Sequence, residues 1–314
     1  TKAFDWQKLI SPNKTFAIES SVYSKYFNHE NYVALKVKDA IVDCQREFFD
    51  RRSNIDVESP DVLLNVFVGD SKVVISLDSS GESLHKRGYR TAQGIAPINE
   101  VLAAGMILLS GWRGESDFVD PMCGSGTIIM EAATIANRIA PGILRDYFAF
   151  MSWDDFDENL WENVRNNSIS QQIESKIQII GYDESQKAIN ISKENIKNAG
   201  LGWKAILKKK RLQEISREDL PDSGVVVINP PYGERMMDEA ELFEFYGEIG
   251  NSLKANFDGF DVWIISSNRP ALKKIGLRPS RKIILFNGAL ECRFQKYEMY
   301  KGTKRKKFLD QSNC

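Results

Sequence analysis

Alternating and amphipathic patterns in the first eighty residues predict a small α+β unit. Residues 15–22 (TFAIESSV) predict a strand, and residues 62–68 and 72–77 predict two more that are joined by Gly69-Asp70-Ser71. Residues 29–49 carry apolar side chains at helical spacing, which predicts one long helix with a single apolar stripe. The stripe contains Val33, Val37, Ile41, Cys44 and Phe48.

From residue 117 onward, predicted strands alternate with predicted helices. This alternation is typical of an α/β fold, a doubly wound and mostly parallel sheet with helices on both faces. The predicted strands are 117–120, 177–182, 205–208, 225–228 and 262–266, followed by a hairpin of 282–286 and 292–297 that adds an antiparallel C-terminal strand. The predicted helices are 97–110, 127–137, 185–198 and 239–257, the first of them starting at Pro97.

Three segments fall outside this alternation. Residues 79–94 contain three glycines and few large apolar side chains, which indicates a linker. Residues 141–175 separate a helix from the next strand and predict an insertion. The segment from residue 301 (KGTKRKK) has five basic residues in seven, a pattern typical of a solvated tail.

Charge and cysteine content restrict the classes of function. Forty-two basic and 43 acidic residues leave a net charge of −1, so nucleic-acid binding would depend on local patches. Four cysteines without a C-x-x-C pair and only two histidines disfavour a zinc site or a disulfide framework, and we expect no metal. Reduced thiols, with no membrane-length apolar run and no signal-peptide pattern, favour the cytoplasm.

A carboxylate and a glycine turn join the first strand of the α/β part to its helix, in Asp120-Pro-Met-Cys-Gly-Ser-Gly-Thr127. The turn lies at the carboxyl edge of the sheet, where α/β folds bind ligands, and glycines let the backbone approach a ligand closely. The segment lacks the Gly-Lys-Ser/Thr of a P-loop and the full G-x-G-x-x-G pattern. The acidic residue suits a ligand with a positive end, such as a methionine ammonium, but an ordinary strand-to-helix turn explains the segment equally well.

A second carboxylate, Asp183, follows the strand IQIIGY. It lies about 20 residues beyond the glycine turn once residues 139–175 are set aside, the spacing at which nucleotide-binding sheets place a ribose-binding acid. The alternative is that Asp183 caps the following helix, although Ser185 can serve as that cap. We favour the ligand role.

The most specific motif is Asn229-Pro-Pro-Tyr232, which continues as Gly233-Glu-Arg235. It directly follows a wholly apolar strand and therefore lies at the same edge of the sheet. Prolines stiffen the backbone and remove N–H donors, so an amide oxygen and a backbone carbonyl can converge there on an exocyclic amine. The aromatic ring can stack on the base that carries this amine.

Together these segments resemble the class I S-adenosylmethionine-dependent methyltransferases that modify exocyclic base amines, with DPMCGSGT as cofactor loop and NPPY as target-amine motif. NPPYGER, residues 81–90 and residues 96–100 resemble the ribosomal RNA guanine-N2 methyltransferases that carry a THUMP domain. The resemblance implies a Rossmann-like methyltransferase domain over residues 81–302, a THUMP-like domain over 1–80 that is N-terminally incomplete, and a basic tail over 303–314.

The resemblance also implies the site residues and the cofactor, S-adenosylmethionine. The residues that it makes catalytic are Asn229, Pro230, Pro231 and Tyr232. The residues that it makes cofactor-binding are Pro97, Asp120, Pro121, Cys123, Gly124, Ser125, Gly126, Thr127, Asp183 and Asn229. One position departs from the family: Arg211 stands where relatives carry an acidic residue that contacts adenine, and Glu214 is a candidate substitute.

The partner that the resemblance implies is RNA, specifically 23S ribosomal RNA of the large subunit. Basic residues outside the three motifs are candidate phosphate contacts, or equally well solvated surface: Lys86, Arg87, Arg90, Lys208, Lys209 and Lys210. Two other functions stay open. NPPY also serves adenine-N6 methyltransferases that act on DNA or RNA, and Arg211 is compatible with an RNA-binding or assembly protein whose catalytic site has decayed.

Overall fold

The computed structural model describes residues 3–90, 98–201, 204–232 and 238–300. Its helices are α1 (Glu30–Phe49), α2 (Glu100–Leu109), α3 (Thr127–Ala136), α4 (Glu158–Ser170), α5 (Gln186–Asn198), α6 (Glu239–Asn256) and α7 (Arg269–Lys274). Its strands are β1 (Phe16–Tyr23), β2 (Val62–Gly69), β3 (Val73–Leu77), β4 (Phe118–Asp120), β5 (Ile179–Asp183), β6 (Ile206–Lys209), β7 (Gly224–Ile228), β8 (Phe260–Ser266), β9 (Arg281–Asn287) and β10 (Leu290–Glu298).

The chain divides into two compact units. Among the described residues, the first unit contains those up to Leu84 together with Arg145–Val164, and the second contains the others. This division differs from the predicted one because part of the predicted insertion belongs to the first unit. Arg145 donates there to the backbone oxygens of Ser80 and Glu82 at 3.0 and 2.8 Å, and Lys14 donates to the Ser152 oxygen at 2.7 Å.

The first unit is a three-stranded sheet covered by α1. The strand order is β1-β2-β3, with β1 parallel and β3 antiparallel to β2. Val33, Val37 and Ile41 of α1 are buried against the sheet, as the predicted stripe requires. The buried stripe ends before Phe48, which is 69% exposed. The last buried turn of α1 contains Gln45, whose amide donates to the Ile10 oxygen at 2.8 Å.

The second unit is built on a seven-stranded sheet with the order β6-β5-β4-β7-β8-β10-β9. Strands β6, β5, β4, β7 and β8 run parallel to one another, and β10 is antiparallel to both β8 and β9. Apolar residues of α2, α3 and α5 form one hydrophobic cluster and those of α6 and α7 form a second. Helices therefore cover both faces, and the predicted doubly wound fold with antiparallel C-terminal strands is confirmed.

The helix predicted to start at Pro97 begins at Glu100 instead. Asn99 is its N-cap, and the Asn99 side chain accepts hydrogen bonds from the backbone N–H groups of Val101 and Leu102. Pro97 itself lies outside the described residues, as do the Gly-Glu-Arg that follows NPPY and the basic tail from residue 301.

Neither a membrane span nor a metal centre is found in the described part of the chain. No helix there is both long and apolar enough to cross a bilayer. No group of three or more His, Cys, Asp or Glu side chains within the same residues could hold a metal ion.

The packing of α6 on the segment after α7 gives a direct test of the core. A Cβ atom on Gly250 would overlap the Ile275 carbonyl oxygen, whereas a Cβ on Gly247 would meet its nearest atom, the Lys274 oxygen, at 3.9 Å. We expect Gly250→Ala to lower the free energy of unfolding by about 2 kcal/mol, as overpacking does. We expect Gly247→Ala to raise it by about 0.5 kcal/mol, because alanine is the better helix former. Urea denaturation measures both, and equal effects would contradict this packing.

Candidate functional site

Three neighbouring parallel strands end at one edge of the sheet, and each ends at a predicted site residue. Asp120 closes β4, Asp183 closes β5, and Asn229 directly follows β7. The register pairs Asp120 with Gly181 and Val119 with Val226. Neighbouring strands lie about 4.8 Å apart, so the structure brings all three side chains to the same carboxyl edge.

The glycine turn between β4 and α3 is held by its own backbone and by α5. Gly124 and Gly126 have positive φ angles of 54° and 83°, which favour glycine, and a Cβ on Gly126 would lie 3.0 Å from Ser192 Oγ. Ser192 Oγ donates to the Gly124 oxygen at 2.7 Å, and Asn195 Nδ2 donates to the Ser125 oxygen at 3.2 Å. Sequence reasoning missed Ser192 and Asn195; the available signal was two polar residues three positions apart on the buried face of α5.

Asp183 is tied to the glycine turn and does not cap α5. Asp183 Oδ2 accepts from the Gly124 backbone N–H at 2.9 Å, and Oδ1 accepts from the Ser185 N–H at 2.9 Å. The α5 cap is Ser185, whose hydroxyl accepts from the Ala188 N–H at 3.3 Å. The half-buried Asp183 carboxylate thus lies beside the turn. Its role toward a ribose stays a prediction.

Asp120 is buried and only partly hydrogen-bonded. Its Oδ1 accepts from the Met122 backbone N–H at 3.0 Å, whereas Oδ2 has no hydrogen-bond donor among the described residues. Burial, helped by the nearby Asp183 charge, raises the pKa of Asp120 to about 8. A group that donates a hydrogen bond or carries positive charge would therefore be stabilised beside Oδ2.

The other predicted residues of the turn are mostly enclosed. Pro121, Cys123, Ser125 and Thr127 are buried. Burial raises the pKa of the Cys123 thiol well above its ordinary value, which disfavours the thiolate and therefore a role as nucleophile.

The diproline corner after β7 presents a second buried oxygen without a donor. Asn229 Oδ1 has no hydrogen-bond partner among the described residues, and Pro230 beside it is buried. The next carbonyl is occupied, because the Tyr246 hydroxyl of α6 donates to the Pro231 oxygen at 3.2 Å; the same hydroxyl also lies 2.8 Å from Ser266 Oγ. Tyr246 and Ser266 were not identified from the sequence, because contact between α6, β8 and the corner depends on tertiary packing.

Tyr232 is half-buried at the outer end of this corner. Its ring packs against the hydrophobic cluster that contains Trp263, and its hydroxyl accepts from Asn287 Nδ2 at 2.7 Å. Asn287 is another site residue that the sequence did not reveal. The predicted stacking of Tyr232 on a base stays a prediction.

Three of the six predicted phosphate contacts form ion pairs with carboxylates, and their role toward phosphate stays a prediction. Arg87 and Arg90, whose side chains are 11% and 12% exposed, pair with the buried carboxylates of Glu131 and Glu100. Lys210 pairs with Asp219. The carboxylate that pairs with Arg87 lies 44 residues along the chain, whereas the one that pairs with Lys210 lies only 9 residues away.

The remaining predicted phosphate contacts, Lys86, Lys208 and Lys209, are exposed, and their role stays a prediction. Arg211 is also exposed and lies 3.4 Å from Glu184 Oε2. Glu214 Oε2 accepts from the Arg211 backbone N–H at 3.2 Å, which places the candidate substitute carboxylate at this same turn.

Two family models match the chain. The RMKL-like methyltransferase domain matches residues 87–296, and the THUMP domain matches residues 1–78. Among curated relatives, a Synechocystis protein described as a candidate RNA methyltransferase is 38% identical over 95% of this chain and 78% of its own length. Ribosomal RNA large subunit methyltransferase K/L of Syntrophotalea carbinolica is 38% identical over 95% of this chain. The match spans 43% of that relative, less than half of its length.

Solved structures at more than 30% identity resemble 95–96% of this chain. SMU.472, described as a candidate methyltransferase and crystallised with S-adenosylhomocysteine, is 31% identical with a TM-score of 0.84 over 96% of this chain and 79% of its own. A Listeria monocytogenes protein, described as a predicted N6-adenine-specific DNA methylase, is 31% identical with a TM-score of 0.82 over 95% and 77%.

The raised pKa of Asp120 predicts a pH-dependent stability. Between its ordinary value of 3.8 and about 8, the folded chain holds a proton that the unfolded chain has released, so stability falls as pH rises. We expect the difference in unfolding free energy between wild type and Asp120→Asn to change by about 1.4 kcal/mol per pH unit between roughly pH 5 and 7. Urea denaturation at several pH values measures it. A difference that does not vary with pH would show that the carboxyl is ionised in the folded protein.

Proposed function

We propose a function from the premise that the chain belongs to the RMKL-like methyltransferase family and contains a THUMP domain. It is a methyltransferase with the class I fold, and its cofactor is S-adenosylmethionine, whose demethylated product is bound in SMU.472.

The edge formed by β5, β4 and β7 fits this cofactor. Asp120 Oδ2, buried without a donor, suits the positively charged methionine part, where an ammonium would satisfy and ionise the carboxyl. Asp183 lies beside the turn with a half-exposed carboxylate that can accept from ribose hydroxyls. The glycine turn leaves open space beside Gly124, where an added Cβ would meet nothing within 4 Å.

The substrate we propose is RNA, and the acceptor is the exocyclic N2 amine of a guanine in 23S ribosomal RNA of the large subunit. The THUMP domain and the names of the K/L relatives support RNA as the substrate class. A ribosomal substrate would place the enzyme in the cytoplasm. The observation that carries the proposal is Asn229 Oδ1, a buried acceptor without a donor next to the cofactor edge.

Two oxygens at the diproline corner would orient the amine. An aryl amine is a weak nucleophile because its lone pair is delocalised into the ring. Asn229 Oδ1 and the Pro230 carbonyl would accept its two hydrogens and direct the lone pair out of the ring plane. This is catalysis by positioning and by fixed dipoles. S-adenosylmethionine supplies the methyl group: the new N–C bond forms as the C–S bond breaks, and sulfur keeps the electron pair. The methylated amine then releases one proton to water.

The neighbourhood of the corner supports this role. Prolines at 230 and 231 fix the backbone, and the Tyr246 hydroxyl beside the Pro231 oxygen holds the corner against α6. Tyr232, fixed through its hydroxyl by Asn287, would stack on a guanine flipped out of its helix.

Adenine N6 is the second candidate acceptor. An exocyclic adenine amine presents the same two hydrogens to Asn229 and Pro230, and the Listeria structure is described as a predicted N6-adenine-specific DNA methylase. We favour guanine in RNA because the chain also contains a THUMP domain.

A protein that has lost catalysis is the third candidate. It has less support, since the diproline corner keeps a buried acceptor oxygen.

Replacing Asn229 tests the proposal. We expect Asn229→Ala to lower the methylation rate of ribosomal RNA on the order of 100-fold, because one of the two orienting oxygens is lost. Binding of S-adenosylhomocysteine, measured by calorimetry, should weaken less than about threefold, since the turn and both carboxylates remain. Full activity of Asn229→Ala would contradict the role of this side chain.

The identity of the product tests the acceptor separately. Wild-type enzyme should give N2-methylguanosine when the RNA is digested to nucleosides and analysed by mass spectrometry. N6-methyladenosine would overturn the choice of guanine and leave the Asn229 mechanism standing. Binding of the cofactor product without any methylated nucleoside would favour the decayed enzyme.

A further inference from the structure

Arg90 links the N-terminal ends of two helices beside the cofactor edge. Its Nη2 donates to Thr127 Oγ1 at 2.9 Å and to the Ile98 backbone oxygen at 3.1 Å, and its Nε lies 2.9 Å from Glu100 Oε1. Thr127 is the first residue of α3, and Glu100 is the first residue of α2. One guanidinium therefore contacts both helix starts.

Arg90 places a positive charge at the N-terminal ends of both helices, where the helix dipole disfavours a cation. The N-terminus of a helix carries partial positive charge, so a cation there is repelled, and burying an ion pair adds a desolvation cost. The Glu100 side chain, 5% exposed, supplies the compensating carboxylate. An apolar contact could join α2 and α3 without these costs. The arrangement is therefore better explained by the precise placement of Thr127 than by packing alone.

Thr127 directly follows the glycine turn, so its position fixes one end of that turn. The hydroxyl groups of Ser125 and Thr127 are 3.5 Å apart, and both residues are buried. Ser192 and Asn195 of α5 hold the carbonyls of Gly124 and Ser125. Arg90 adds a separate support through Thr127, at the end of the turn where α3 begins.

We propose that Arg90 is a positioning residue for the cofactor site, which acts through the Thr127 hydroxyl on the glycine turn. In this role Arg90 contacts the protein's own turn, and it touches neither reacting group. The proposal rests on the cofactor site of the proposed function but not on its RNA substrate. It can therefore be tested by cofactor binding alone.

The test is calorimetric titration of the full chain with S-adenosylhomocysteine in the absence of RNA. Arg90→Lys keeps the charge, but one ammonium cannot reach Glu100, Ile98 and Thr127 in the same geometry. We expect the dissociation constant to rise about tenfold, because a loosened turn no longer presents its backbone groups in one arrangement. An unchanged dissociation constant would overturn the proposal.

Arg87→Lys is the matched control. The Arg87 side chain is 11% exposed, against 12% for Arg90, and it pairs with the buried carboxylate of Glu131 in α3, one turn beyond Thr127. We expect both variants to lower the melting temperature, but Arg87→Lys to change the dissociation constant less than about twofold. Equal weakening by the two variants would reduce Arg90 to a structural role and overturn the proposal.

Two further variants keep the test decisive. Thr127→Val removes the accepting hydroxyl, so adding Arg90→Lys to it should weaken binding by less than the product of the single effects. Independent effects would contradict action through Thr127.

Should Arg90→Lys fail to fold by circular dichroism, Glu100→Gln removes the carboxylate that holds the guanidinium. We expect it to weaken S-adenosylhomocysteine binding about fivefold, and unchanged binding would overturn the proposal.

Discussion

Two buried oxygens at the carboxyl edge of the sheet, Asp120 Oδ2 and Asn229 Oδ1, have no hydrogen-bond donor within the described residues. Leaving such an atom unpaired costs about 1–3 kcal/mol, and a fold retains that cost only where surrounding structure enforces it. Parallel pairing of β4 with β7 places both side chains at the same end of adjacent strands. The glycine turn and the diproline corner lie at one edge of the sheet because of this strand pairing.

Rigid support surrounds both oxygens. The turn after Asp120 is held by α5 through buried polar side chains and by Arg90 through the first residue of α3. The corner after Asn229 is held by proline stiffness and by the Tyr246 hydroxyl. Ser192, Asn195 and Tyr246 are themselves buried, so they hold the turn and the corner in one arrangement, as catalysis by orientation requires.

The sequence was sufficient for the fold class and for the three motifs at strand ends, because hydrophobic alternation and strand-end position are local properties. It was not sufficient for partners that meet only in the folded chain. Arg87 and Arg90 were predicted to be phosphate contacts, yet Glu131 and Glu100 neutralise them, one of these from 44 residues away. Tyr246 and Asn287 likewise reach the NPPY corner from other elements, so no pattern within the motif could reveal them.

The central claim is that Asn229 Oδ1 and the Pro230 carbonyl receive the two hydrogens of a guanine amine. A crystal structure of this chain with S-adenosylhomocysteine and an RNA that contains the target guanine measures this directly. We predict guanine N2 about 3 Å from both oxygens, with the Tyr232 ring stacked on the base. A guanine amine bound elsewhere, or an Asn229 oxygen paired with another protein group while the base is in place, would contradict the mechanism.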